Sequence, residues 1–149
     1  MKYWRFIFFA LAFLLGITWF IRQITSGPED VYEPLLKNGV VFKGVVLKAD
    51  VSNNHAFGVL HLKVVSSSVS VFNKKASLGL KYPYQIRKGE AELYAIVADI
   101  EAGDTVAVNS DKQLLTYHLA KSKESYQSDL FMVRDPSNIE YMEQYTAFK

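Results

Sequence analysis

The sequence predicts a mostly β protein, with an N-terminal transmembrane helix followed by a small antiparallel β barrel, OB-like or SH3-like, and a short C-terminal helix. Three observations predict it: one uninterrupted apolar run near the start, a series of short β-branched and aromatic segments punctuated by turn residues, and no βαβ alternation. Short strands spaced by turns favour antiparallel pairing, and at this size closure is an economical way to remove sheet edges. The domains read from the sequence are an anchor over 1–27, a stalk over 28–38 and an exported β domain over 39–149.

The anchor rests on Phe6 to Ile21, 16 residues without a charge, or about 24 Å of helix. Tyr3, Trp4 and Arg5 on one side, with Trp19 and Arg22 on the other, extend it toward the ~30 Å hydrocarbon thickness as a membrane-interface set of aromatic rings and snorkelling cations. A removable signal would need small residues before its cleavage point. Trp19, Phe20, Ile21 and Arg22 occupy that zone, and Thr25-Ser26-Gly27 runs into Pro28. Lys2 and Arg5 precede the run, while Glu29, Asp30 and Glu33 follow Arg22, so the positive-inside rule keeps the N-terminus cytoplasmic. The expected location is the inner (cytoplasmic) membrane, single-pass, with the C-terminal domain periplasmic or otherwise extracytoplasmic.

Beyond it, "GPEDVYEPLLKNG" reads as a stalk with a helical turn. "GVVFKGVVLKADV" and "AFGVLHLKVV" read as two strands joined through Asn53-Asn54, since Asn tolerates the positive φ of tight turns. "SSSVSVF" reads as a third strand, and "NKKASLGLKYPYQIRKGE" as a long connection broken by Gly79, Pro83 and Gly89. "AELYAIVADI", "DTVAVN" and "QLLTYHLA" supply three more, with turns at Gly103-Asp104 and Ser110-Asp111, and "SDLFMVRD" a seventh. Ser137 and Glu140 have capping-box spacing before a helix that places Ile139, Met142 and Tyr145 on one face.

Composition narrows function. With Lys2, Arg5 and Arg22 set aside, 14 of the 17 basic residues face 15 acidic ones, so the part after the anchor lacks the cationic excess that nucleic acid requires. The absence of cysteine excludes disulfides, thiolate metal sites and cysteine nucleophiles. His55, His61 and His118 show no metal-ligand spacing, and the last two alternate with apolar neighbours that turn them away from the core. Neither a metal nor another cofactor is expected. Ser66 to Ser70 with Lys74 and Lys75 supply the residue types of a Ser-Lys dyad without the flanking signature of signal peptidases, and Glu90 with Glu92 reads as a solvated carboxylate pair.

The richer feature is the connection itself. Lys74, Lys75, Lys81, Arg87 and Lys88 fall within 15 residues that hold no acid and are interleaved with Tyr82 and Tyr84. Together these form the candidate contact surface, suited to an acidic lipid, glycan or protein.

The order of an N-terminal hydrophobic segment, "VFKGVVLKADVSNNHAFGVLHL" and "GDTVAVNSDKQLLTYHL" resembles that of uncharacterised membrane-anchored small β-domain proteins of Bacteroidetes type, a group without an assigned activity. Val108-Asn109 stand where that group usually carries a Lys soon after the turn. The functional expectation is a non-enzymatic binding or scaffolding module whose partners are the membrane lipid bilayer and an envelope protein. The alternative is an accessory subunit of a membrane complex held through Gly16 and the ridge of Phe6, Phe9, Phe13 and Phe20, and an exported hydrolase stands third.

Overall fold

A computed structural model describes residues 4–25, 29–77 and 79–148, with α1 side chains described over 11–21. The chain forms two compact units, Met1–Glu33 and Pro34–Lys149, so the division falls inside the segment expected as a stalk. The first unit holds helix α1, Trp4–Thr25, and helix α2, Glu29–Leu36, starts in it. Leu11, Phe13, Leu14, Leu15, Ile17, Trp19, Phe20 and Ile21 are all exposed around α1. Among the described residues no helix is long and apolar enough to cross a membrane. Tyr3 lies outside the described residues, as do the side chains of Trp4, Arg5 and Arg22.

The second unit is one antiparallel eight-stranded sheet. Its strands are β1 (Val41–Val51), β2 (Phe57–Ser67), β3 (Val71–Phe72), β4 (Tyr84–Arg87), β5 (Glu90–Ile96), β6 (Thr105–Asn109), β7 (Leu114–His118) and β8 (Ser125–Asp129), in the spatial order β3-β4-β5-β2-β1-β6-β7-β8. The expected barrel is therefore corrected to an open sheet. Its terminal strands, β3 and β8, do not pair with each other. Tyr117 and Tyr126 instead donate hydroxyl bonds to the carbonyls of Ile96 and Ala98, at 3.3 and 3.2 Å, so the curled sheet meets the end of β5 through side chains rather than a ladder.

The alternation of β1 buries Phe42, Gly44 and Val46 on one face. That inner face continues through Leu60 and Leu62, Leu93, Tyr84 and Ile86, Val106 and Val108, and Leu115 and Tyr117, all buried. Register shifts at Lys43/Gly44 and Val46/Lys48 bend β1, as bulges do. Where the sequence suggested an unstructured connection, β4 forms and turns into β5 through Lys88 (φ 37°) and Gly89 (φ 92°), a two-residue hairpin loop of positive-φ residues. "SSSVSVF" yields only the two-residue β3, and the last strand lies over Ser125–Asp129, earlier than "SDLFMVRD" implies. In the β1–β2 turn, positive φ falls on His55 and Ala56 rather than Asn53-Asn54.

A second, smaller core lies on the outer face, where Phe57, Val59, Tyr94, Val133 and Met142 cluster. Helix α3, Pro136–Tyr145, covers it, with Ile139 and Tyr141 against the cluster. Its N-cap is Asp135, which accepts from the N–H groups of Ser137 and Asn138, so the expected cap at Ser137 is corrected to a residue two positions earlier. Pro136 fits the first helical position because its missing N–H costs nothing there.

Two predictions follow from this packing. A Cβ at Gly58 would strike Val97 and stand 2.6 Å from the Asp50 carbonyl, so Gly58→Ala destabilises the sheet by about 2 kcal/mol, measured by denaturant unfolding. The Asp135 carboxyl is held below its ordinary value by the Ser137 hydroxyl first and the Asn138 N–H second. A depressed folded value means that the unfolded chain binds the proton more readily, so the cap is fully effective above the usual carboxylate range and is lost as pH falls through the lower folded value. Amide protection at 137–139, measured against the intrinsic exchange rate at each pH, should therefore fall in acid before that of the inner strands, and Asp135→Ala should remove that dependence.

Candidate functional site

The basic stretch does not form one continuous loop surface. Tyr84, expected to face a partner, is corrected: it sits on β4 wholly buried against Phe42 and Phe72, and its hydroxyl donates to Asn38 Oδ1 at 2.9 Å. Burial raises its phenol above the ordinary value. Tyr82 packs edge-on against Phe72 and is half-buried. Lys81 is tied twice, by backbone bonds with Val133 and by a 2.8 Å ion pair with Glu143 on α3. Arg87 lies over the Phe148 ring at 4.8 Å and donates to the Phe148 carbonyl at 2.9 Å. Lys74 lies 5.9 Å from the Phe72 ring. Lys74, Lys75 and Lys88 are exposed, and they are what remains of the expected contact surface.

The most organised polar cluster lies elsewhere, on the outer face of β1, β2 and β5. Register places His61 of β2 directly opposite Glu92 of β5, with Asp50 of β1 on the same face one diagonal step away. His61 Nδ1 is 3.2 Å from Glu92 Oε1, and Nε2 is 3.1 Å from Asp50 Oδ2. Lys48 pairs with the other Asp50 oxygen at 2.7 Å. Glu92 is 0% exposed and holds the C-terminal segment: Thr146 donates its hydroxyl to Oε2 at 2.5 Å, and Ala147 its N–H to Oε1 at 2.7 Å. Tyr94 adds a third donor to Oε2 at 2.6 Å. Burial, followed by the Glu92 carboxylate, pushes the Tyr94 phenol far above its usual range, so it stays a donor.

These contacts satisfy a buried carboxylate, which otherwise carries a large desolvation cost. The imidazole bridges two carboxylates, an arrangement able to relay a proton. However, the oxygens of Glu92 are already engaged by the tail, and the cluster works as a clasp that seats residues 146–148 on the sheet. A shallow recess of about 190 Å³ opens beside it, lined by Leu47, His61, Leu62, Glu90, Ala91, Ala147 and Phe148. Among the described residues, no group of three or more His, Cys, Asp or Glu is arranged to hold a metal ion.

The sequence correctly placed His61 outside the inner core, and His118 is exposed with Ser125 Oγ at 2.6 Å from its Nδ1. Reading Glu92 as a solvated partner of Glu90 is corrected: Glu90 is exposed while Glu92 is enclosed. The available signal was its position between Ala91 and Leu93 inside an otherwise apolar strand. Asp104 of the Gly103-Asp104 turn also gains a role, accepting from Glu101 N–H and, across 16 residues, from Ala120 N–H, each at 2.8 Å. No protein family, curated protein or solved structure shows a detectable match to the chain.

The clasp is testable by removing its acceptor. Glu92→Ala strands two hydroxyls and an N–H without their acceptor and should cost on the order of 3 kcal/mol in denaturant unfolding. Protease should then cleave after Tyr145 at a rate well above that of the unaltered chain. Glu92→Gln, which keeps the volume and one acceptor oxygen, should fall between the two.

Proposed function

We propose that the chain is a single-pass membrane-anchored protein whose β domain serves as a non-enzymatic binding or scaffolding module at the cell envelope. The observation that carries this reading is the apolar, exposed circumference of α1. Phe13, Leu14 and Leu15 are consecutive and exposed, so they point to three different sides of the helix rather than to one buried stripe. A helix apolar all round is suited to lipid. The described side chains of α1 cover residues 11–21, and in the sequence the uncharged run continues back to Phe6. Charge placement supports an N-terminus in the cytoplasm and an exported β domain.

The module's contact surface, in this reading, is cationic and formed by Lys74, Lys75 and Lys88. Lys75 and Lys88 make no ion pair among the described residues, and their charge remains available to an acidic lipid, glycan or protein surface. Lys81 and Arg87 serve packing instead. This surface gives steering and salt-sensitive affinity rather than a deep pocket.

The anchor is tested with a C-terminal reporter that is active only outside the cytoplasm. The unaltered chain should give activity in the alkali-resistant membrane fraction. Replacing both Leu14 and Ile17 with Arg should abolish it, since each charge at a helix centre costs about 3 kcal/mol on insertion. Reporter activity retained by the double variant, or a soluble full-length chain, overturns the anchor. The surface is tested on the full chain in zwitterionic nanodiscs presented with anionic vesicles. Combined Lys74→Gln, Lys75→Gln and Lys88→Gln should leave stability within about 0.5 kcal/mol per site and abolish the salt-sensitive part of capture.

A further inference from the structure

We infer that the free edge of β8 is a homodimer interface, at which β8 pairs antiparallel with β8 of a second copy about a two-fold axis through Gln127. The ladder defines which groups are available. Leu130 N–H bonds to the Gln113 carbonyl and Leu119 N–H to the Glu124 carbonyl, and β7 pairs with β8 in continuous register from Leu114↔Asp129 to His118↔Ser125. Antiparallel strands alternate bonded and non-bonded pairs, so Ser128 and Tyr126 exchange bonds with β7. The N–H and carbonyl groups of Ser125, Gln127 and Asp129 point the other way. No backbone bond to them occurs among the described residues, and all three residues are exposed.

The two sheet edges are unequal. The β3 edge is two residues long and is followed directly by Lys74 and Lys75, the short, charged ending that discourages edge pairing. The β8 edge is five residues long in uninterrupted register, with no lysine, proline or bulge within it. It is the edge left open to another strand.

What selects a second copy is the pattern of the strand itself. About an axis through Gln127, each Ser125 faces Asp129 of the other copy, each Tyr126 faces Ser128, and Gln127 faces its equivalent. The outward N–H of each of the three residues then meets an outward carbonyl in the other strand, which closes six hydrogen bonds. Asp129, the one charge on the strand, meets Ser125 and not a like charge, which cross-strand pairing penalises. Tyr126, stacked on Tyr117 but still 38% exposed, gains cover at the seam. Such a contact is isologous, joining the two eight-stranded sheets into one and leaving neither β8 edge open.

The chain has no cysteine, so single cysteines report the register without background. Residues facing each other in a bonded antiparallel pair lie about 5.5 Å apart at Cα, within disulfide reach. Full-length Gln127→Cys in nanodiscs or mild detergent should oxidise mostly to a band of doubled mass. Ser125→Cys alone should not, because two copies of residue 125 stand about 13 Å apart along the strands, whereas an equal mixture of Ser125→Cys and Asp129→Cys should cross-link. Gln127→Pro removes an outward N–H that β7 does not use, and should return the unlabelled protein from dimer to monomer in mass measurements while its circular dichroism is unchanged. A monomeric unaltered chain at tens of micromolar overturns the inference. So does cross-linking of Ser125→Cys with itself as efficient as that of Gln127→Cys.

Discussion

The β1–β2 ladder bears the rest of the β unit. These two strands of 11 residues each lie at the middle of the sheet, with β5, β4 and β3 built outward from one and β6, β7 and β8 from the other. Both faces of the pair are in use: Phe42, Val46, Leu60 and Leu62 fill the inner core, while Phe57, Val59, His61 and Asp50 face α3 and the C-terminal clasp. The bulges in β1 bend the ladder, and Gly44 and Gly58 permit close neighbours, with positions for a Cβ at 3.0 Å from the Leu62 side chain and 2.6 Å from the Asp50 carbonyl. A strong bend in the central pair curls the whole sheet, and the curl is what allows one sheet to enclose a core.

Closure fails at the two ends for different reasons. β3 extends over only two residues before Asn73, Lys74 and Lys75, too short to offer a ladder. β8 is longer, but Tyr126 beneath it already reaches the Ala98 carbonyl. The tyrosines thus stitch the curl where a barrel would use backbone pairs. Tyr117 is completely buried, and burial, with Tyr126 contributing less, holds its phenol far above the usual range, so this stitch persists as a donor across ordinary pH.

Much of the β architecture was legible in local pattern. β-Branched and aromatic runs bounded by turn residues located β1, β2, β5, β6 and β7, and turn chemistry located Gly103-Asp104, because these signals act between neighbours in the chain. β4 is hidden in the sequence because its four residues lie in a polar, Gly- and Pro-broken stretch rich in Lys and Arg. Tyr84 therefore read as exposed when Phe42, Phe72 and Asn38, all distant in sequence, enclose it. Ser137 with Glu140 has capping-box spacing, yet Asp135-Pro136 is itself a strong helix opening and provides the cap. Glu92 was least legible, since its burial depends on groups more than fifty residues away.

That separation governs the order in which the outer face is completed. Glu92 is synthesised 54 residues before the hydroxyl of Thr146 that it accepts, and 55 before the N–H of Ala147. Until those donors are made, its carboxylate keeps its hydration, and β5 can zip to β2 and β4 only with water held against that face. The strands that build the inner face are all made by Asp129, whereas the outer core waits for α3 and the segment after it. A released chain ending near residue 135 would thus carry all eight strands yet lack α3 and both tail donors, leaving the outer face wet and unlatched.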